Sequence, residues 1–384
     1  VERDFYEEDH ESYRKTVREF LAREVVPHKD RWDDERWIPR EVYKSAAATG
    51  LYGLQVPEEY GGAGVTDYRY RMVVGEEVAK VNALSFGLTL SLQDDLFLAY
   101  VLGRSNEEQR RRWLPGVAAG DLIGALAMTE PGTGSDLQGM RTTARRVGDH
   151  WVVNGQKTFI SSGIMADLVV LAVRTAPEGG SNGFSLLVVE ADTPGFERGR
   201  KLDKIGLPAQ DTAELFFTDA RVPAENLLGE EGHGLRYLMS HLPRERLGVA
   251  NTAIATSRAI LDQTVEYLSG RTAFDKRLID FQNTRFTLAE IETEVDVAQS
   301  YVDRQVLAFN AGDLTPVEAA KGKWYVSELQ KRVVDQCLQL HGGYGFMREY
   351  AVGKAYVDTR IQTIYAGTTE IMKEIIGRDI ASRH

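Results

Sequence analysis

A chain of 384 residues with 43% hydrophobic and 27% charged side chains has room for two or three cooperating domains and the composition of an ordinary globular protein. Its formal net charge of -11 excludes nucleic acid or an anionic membrane as the main partner, since either favours a basic face, but leaves room for small anionic ligands. The single cysteine, Cys337, excludes an intramolecular disulfide, and its apolar helical setting VVDQCLQLHG points to a buried, inert thiol in a reducing compartment.

From the N-terminus, VERDFYEEDHESYRK is too charged for a signal peptide. Tyr13, Val17, Phe20, Leu21 and Val25 then recur at helical spacing until Pro27 stops the run. Pro39 suits the first turn of the next helix and Gly50 follows its end, while VPEEYGGAGVTD has no periodicity and reads as a loop. Ser105 and Glu108 form a capping-box pattern that opens another helix, which LPG closes near Pro115. The texture changes at about Asp121. LIGALAMTE, HWVVNG, DLVVLAVRT, FSLLVVEA and AELFFTDARVP are short, rich in Val, Phe and Thr, and divided by turn residues. VGDH and Asn154-Gly155 carry hairpin signals, because Gly and Asn tolerate the positive φ of tight turns. After Gly229 the helical period returns. AGDL ends one helix, and Thr315-Pro316-Val317-Glu318 opens the next with a capping box and a proline at the first helical position. The expected class is α+β: a helical domain over 1–120, an antiparallel β domain over 121–226 and a helical bundle over 227–384. No βαβ run, dinucleotide-binding fingerprint or apolar run of bilayer length occurs.

Two stretches draw attention as chemistry. AMTEPGTGSDLQG leaves a strand and gathers Thr129, Gly132, Thr133, Gly134 and Ser135 in one loop. Glycines there let backbone N–H groups approach an anion, and hydroxyls add uncharged donors. QTIYAGTTEI interrupts two helical patterns with a small hydroxyl-bearing hinge, which alone reads as a helix–helix turn. The histidines are scattered, no HExxH pair occurs, and one cysteine cannot build a thiolate site, so no metal is expected. GTGSD lacks the strand–GxSxG–helix setting of a hydrolase.

TEPGTGSD, VNGQKTFIS, RTAFDKRLIDFQ, QLHGGYGF and IYAGTTEI, in that order and across nearly the whole chain, strongly resemble the acyl-CoA dehydrogenases, above all the long-chain and isovaleryl-type branch. The resemblance implies that family's fold, with its C-terminal four-helix bundle, and FAD as cofactor. It implies that Leu126, Met128, Thr129, Gly134 and Ser135 line the flavin and its pyrophosphate, Ser135 reaching CoA as well. Phe159, Ile160 and Ser161 match positions beside the isoalloxazine, where the family mostly has Trp for Phe159 and Thr for Ser161. Arg271, Phe274 and Gln282 match a segment that binds the FAD of a neighbouring subunit, as do Gln339, Leu340, His341, Gly342 and Gly343. A homotetramer arranged as a dimer of dimers is thereby implied. Asp275 stands where many relatives have Gly, and Thr368 and Glu370 match positions facing the FAD.

In many relatives the catalytic carboxylate occupies the hinge position held here by Ala366, and alanine cannot remove a proton. In the long-chain and isovaleryl branch the base comes from an earlier helix, just before an arginine, and Glu245-Arg246 in HLPRERLGVAN match it. The resemblance thus implies that Glu245 removes the α-proton of an acyl thioester while the β-hydride passes to flavin N5. The thioester oxygen would be held by a flavin ribityl hydroxyl and the backbone N–H of Ala366, with Arg246 and Gly367 at the substrate. An electron-transfer flavoprotein would take the electrons. The alternatives are a flavin-dependent monooxygenase or oxidase on the same fold and a dehydrogenase of carrier-protein-bound acyl groups. The expected compartment is the cytoplasm, or the mitochondrial matrix if a targeting segment has been removed. Finally, SLQDDLFLAY, residues 91–100, matches the helix lining the far end of the family's acyl pocket. Leu96, Phe97, Tyr100 and Val101 supply apolar surface there; Gln93, Asp94 and Asp95 interrupt it, facing solvent at a kink or pointing inward.

Overall fold

The computed structural model describes residues 3–383, so residues 1, 2 and 384 at the ends of the two expected helical domains lie outside the described residues. The apolar stripes found by spacing form the first core. Helices α1 (Glu8–Phe20), α2 (Lys29–Glu35), α3 (Arg40–Ala48), α4 (Arg69–Lys80) and α5 (Leu84–Ser91) pack around Val17, Phe20, Leu21 and Val25. A π turn, Leu92–Phe97, joins α5 to α6 (Leu98–Arg104), and α7 (Glu107–Ala118) follows. The capping box of α7 lies one residue beyond the expected one, on Asn106 and Gln109, because the Ser105 hydroxyl donates back to the Val101 carbonyl that ends α6. Pro115 sits inside α7 and does not close it.

Seven strands follow: β1 (Gly124–Ala127), β2 (Thr143–Val147), β3 (His150–Ser161), β4 (Leu168–Arg174), β5 (Phe184–Glu190), β6 (Phe196–Lys201) and β7 (Thr212–Pro223). Their order is β1-β4-β2-β3-β7-β6, with β5 also paired to β4. Most pairs are antiparallel, as expected, but β1–β4 and β2–β4 run parallel. The long connection after β1 permits this, since parallel neighbours need a crossover. VGDH makes the β2–β3 hairpin, with Gly148 at φ 61°. Asn154-Gly155 makes no turn. It lies inside β3 at a bulge opposite β7, and a Cβ on Gly155 would come within 2.5 Å of the Thr142 hydroxyl.

The last region comprises α8 (Gly234–Gly270), a hairpin of β8 (Thr272–Ala273) and β9 (Lys276–Arg277), then α9 (Gln282–Asn310), α10 (Pro316–His341), α11 (Ala351–Asp358) and α12 (Thr369–Ser382). Leu247, Ile254, Leu261, Ile291, Val295, Val302, Val326 and Val333 form its core, together with Cys337, whose thiol burial pushes up to about 11. The Gln93 amide ties the regions together: it accepts from Gly124 N and donates to Gly124 O, both at 2.8 Å, fastening the π turn to β1. Among the described residues, no helix is long and apolar enough to cross a membrane.

Candidate active site

Glu245 lies in α8, two residues after Pro243, which removes a backbone donor from the helix. The carboxyl is 4% exposed, and the Tyr100 hydroxyl of α6 donates to its Oε1 at 2.8 Å. Burial pushes this acid up to about 7; the Tyr100 bond and the Arg246 charge pull it down, and Asp95 pushes it further up. His241, one turn earlier, packs against the Tyr100 ring at 4.6 Å. The neighbouring Arg246 is buried, and its Nε lies 3.5 Å from the carbonyl oxygen of Ala366. The hinge therefore abuts the very turn of α8 that carries Glu245.

The hinge itself is held in a left-handed turn, with Ala366 at φ 53° and Gly367 at φ 97°. Lys323 of α10, fully buried, donates to the Gly367 carbonyl at 2.6 Å. Arg246 and Lys323 thus face successive carbonyls and hold the hinge turn from α8 and α10. Thr368 caps α12, its hydroxyl accepting from Ile371 N at 3.4 Å, and Glu370 stands exposed in the first turn.

A second group forms around the end of β1. The Met128 carbonyl accepts from Lys157 Nζ at 2.9 Å, and the Thr129 carbonyl accepts from Thr158 N at 2.9 Å. Glu130 accepts from Lys157 Nζ at 2.8 Å, from Arg141 N at 2.7 Å and from Thr142 N at 2.9 Å, closing the loop on itself. TEPGTGSD and TFIS are thereby joined side by side. Leu126 is half-buried; Gly134 and Ser135 are exposed, and a Cβ at Gly132 or Gly134 would meet open space. A second bulge in β3 turns Phe159 outward at φ 59° and 68% exposure, while Ile160 enters the core and Ser161 stays half-buried. The buried hydroxyl of Thr133 has no hydrogen-bond partner. An outward aromatic ring beside an open glycine loop and an unpaired donor fits FAD.

A third group gathers elsewhere. The Arg271 guanidinium lies over the Tyr344 ring at 5.2 Å, and Tyr267 stacks on His341 at 4.3 Å. His341 is buried, with Nδ1 2.8 Å from the Cys337 carbonyl oxygen; Leu340 is half-buried, and Gln282, Gln339, Gly342 and Gly343 are exposed. Phe274 and Asp275 form the tip of the β8–β9 hairpin, at φ 51° and 59°. A left-handed backbone at residue 275 favours glycine and is tolerated by Asp. Among the described residues, no hydrogen bond or ion pair links this group to Glu245, β1 or β3. Three further contacts escaped the sequence reading. Tyr100 reads as pocket lining rather than the partner of Glu245, and the sequence does not single out Lys157 or Lys323. A lysine on the apolar face of α10 was the available signal for Lys323.

Known proteins share this fold. Residues 7–121, 125–220 and 232–381 match the N-terminal, middle and C-terminal domains of the acyl-CoA dehydrogenase family. The long-chain specific acyl-CoA dehydrogenase of Mus musculus mitochondria is 44% identical over 382 residues, covering 99% of this chain and 88% of that protein. The crystal structure of an acyl-CoA dehydrogenase from Geobacillus kaustophilus superposes with a TM-score of 0.96 at 46% identity, covering 98% of this chain and 99% of the other. A glutaryl-CoA dehydrogenase from Mycobacterium smegmatis, solved in complex with FADH2, gives a TM-score of 0.91 at 30% identity, covering 98% of this chain and 96% of the other. This chain belongs to the acyl-CoA dehydrogenases, the FAD-dependent oxidoreductases that dehydrogenate acyl-CoA thioesters.

Proposed function

We propose that the protein desaturates an acyl-CoA between its α and β carbons to the trans-2-enoyl thioester, with Glu245 as the base. The observation that carries this reading is a buried carboxyl, held by Tyr100, on the turn of α8 that Ala366 abuts through Arg246. A C–H bond α to a thioester is a weak acid, so base and oxyanion donor must act together. FAD, when bound, supplies the acceptor for the β-hydride. Glu245, ionised and poorly hydrated, takes the α-proton. The Ala366 backbone N–H stabilises the charge developing on the thioester oxygen, so the side chain at 366 needs no chemistry. Arg246 and Lys323 hold that turn through its carbonyls. In the same reading the loop 126–135 and Phe159–Ser161 hold the flavin, Ser135 and Gly367 adjoin the thioester, and Thr368 and Glu370 face the cofactor. An electron-transfer flavoprotein receives the electrons.

Anaerobic mixing with a panel of acyl-CoAs, followed by loss of flavin absorbance, tests the assignment. Glu245→Gln is expected to retain FAD and bind acyl-CoA while the reduction rate falls by about 10²–10⁴-fold, the range of a lost general base. Reduction near the wild-type rate in that variant would place the base elsewhere.

A further inference from the structure

One turn along α8 from Glu245 lies a buried polar group that the reaction above does not use. Asp94 and Asp95, in the π turn, both point inward and are buried, as is Arg71 of α4. Arg71 Nη1 lies 3.7 Å from Asp94 Oδ2, Arg71 Nε 3.8 Å from Asp95 Oδ2, and Arg244 Nη2 3.5 Å from Asp95 Oδ1. At these separations the charges attract without forming good hydrogen bonds. Arg71 Nε and Nη1, Arg244 Nε, Asp94 Oδ2 and Asp95 Oδ1 are all buried and have no hydrogen-bond partner.

The groups are also tethered. Asp94 Oδ1 accepts from Leu54 N at 3.1 Å, Asp95 Oδ2 accepts from Ser91 Oγ at 2.7 Å, and Arg244 Nη1 donates to Gln55 at 2.6 Å. They therefore cannot simply rotate to satisfy one another. Unmade hydrogen bonds on buried charges are costly, so this arrangement calls for an occupant that both donates and accepts. Its place relative to the base is fixed by Gly248, three residues after Glu245 and on the same helical face. A Cβ at Gly248 would lie 3.0 Å from Asp95 Oδ2 and 3.4 Å from the Tyr68 hydroxyl. With no side chain at Gly248, Asp95 packs directly against the face of α8 that carries Glu245.

We propose that this cluster receives the distal end of the acyl chain and selects a neutral oxygen function there, a hydroxyl or carbonyl. The proposal rests on Glu245 facing the α-carbon. Two arginines and two aspartates balance, so an ionised carboxylate or ammonium terminus would leave a net charge buried. A methyl terminus would leave Arg71 Nε and Nη1, Arg244 Nε, Asp94 Oδ2 and Asp95 Oδ1 without hydrogen-bond partners. A hydroxyl answers both, and because the cluster stands at a fixed distance from the base it selects chain length as well as polarity.

The test compares ω-hydroxyacyl-CoAs with straight-chain acyl-CoAs across a series of lengths, by kcat/KM and by calorimetric binding to the FAD-loaded enzyme. A preference for the hydroxylated member of about a hundredfold, confined to a narrow range of lengths, is expected, since a site built to bond a hydroxyl rejects the analogue lacking it. Asp95→Asn and Arg71→Met should reduce that ratio towards one, and Gly248→Ala, which sets a methyl against Asp95, should reduce it without removing a charge. Plain chains winning at every length, or an unchanged ratio in all variants that fold, would overturn the proposal and leave ordered water as the occupant. Selective tight binding of the hydroxylated ligand without turnover of any substrate would support the cluster while refuting the base assignment.

Discussion

At Glu245 the proposed chemistry needs a carboxylate, while the surroundings resist one. Burial holds this acid up at about 7, against an ordinary carboxyl near 4.5. A base acts in its ionised form, so kcat/KM is expected to fall as the pH drops through about 7. His241, which burial holds down to about 4, stays neutral there and adds no second step. Tyr100 acts in the opposite sense to burial, since its hydroxyl stabilises the charged form of Glu245. Hydrogen bonds to charged groups are worth about 1.5–3 kcal/mol, or about one to two pH units. Tyr100→Phe should therefore move the acid limb of the pH profile upward by about one unit and reduce activity most below neutrality. An acid limb that stays in place would mean the Tyr100 bond does not act on the working base.

The elements that present the site are regular ones interrupted at chosen points. β3 bulges twice against β7, the second time to turn Phe159 outward, and the loop after β1 is pinned to β3 by Lys157. Lys157 and Glu130 have side-chain exposures of 0% and 6%, so removing one leaves the other charged and buried. Lys157→Met should cost about 3–5 kcal/mol in denaturant unfolding and loosen FAD binding, because the released loop carries Thr129, Gly134 and Ser135. Adding Glu130→Gln should recover much of that stability; unchanged unfolding in the single variant would show that the pair does not anchor the loop. These interruptions also mark the limit of what the sequence disclosed. The helix–sheet–helix order was legible because half-buried elements alternate apolar and polar residues at periods of 3.6 and 2. Asn154-Gly155 misled because hairpins and bulges make similar demands on glycine, and the parallel pairing of β1 with β4 depends on contacts far apart in the chain. Glu245 was reached only through its resemblance to a family pattern, since its partner Tyr100 lies 145 residues away.

At the scale of the whole molecule, the β8–β9 hairpin is costly for a lone chain. Its tip puts Phe274 and Asp275 at positive φ, where side chains are strained, and leaves Phe274 90% exposed. Phe346, 82% exposed, belongs to the same group through its neighbour Tyr344, which packs against Arg271. Exposed rings beside an arginine, joined among the described residues by no hydrogen bond or ion pair to the loop after β1, are a surface that a symmetric assembly can use to complete a partner's site. We propose that Arg271 serves the FAD of a neighbouring subunit within a homotetramer. Sedimentation should then give four chains, and Arg271→Ala should weaken FAD retention by about ten- to hundredfold, the loss of one charge-assisted hydrogen bond. Mixing two defective proteins sharpens the test. Glu245→Gln chains keep Arg271 but lack the base, and Arg271→Ala chains keep the base but lack the arginine. If each FAD site draws Glu245 from one chain and Arg271 from its two-fold mate, a mixed pair contains one site with both residues. Unfolding and co-refolding the two variants, at a free FAD concentration that fills sites with Arg271 but not sites lacking it, should restore about a quarter of wild-type activity, because half of the random pairs are mixed and half of their sites are intact. If both residues served the same chain, every site in the mixture would lack one of them. No recovery, or a stable FAD-loaded monomer, would refute the shared site.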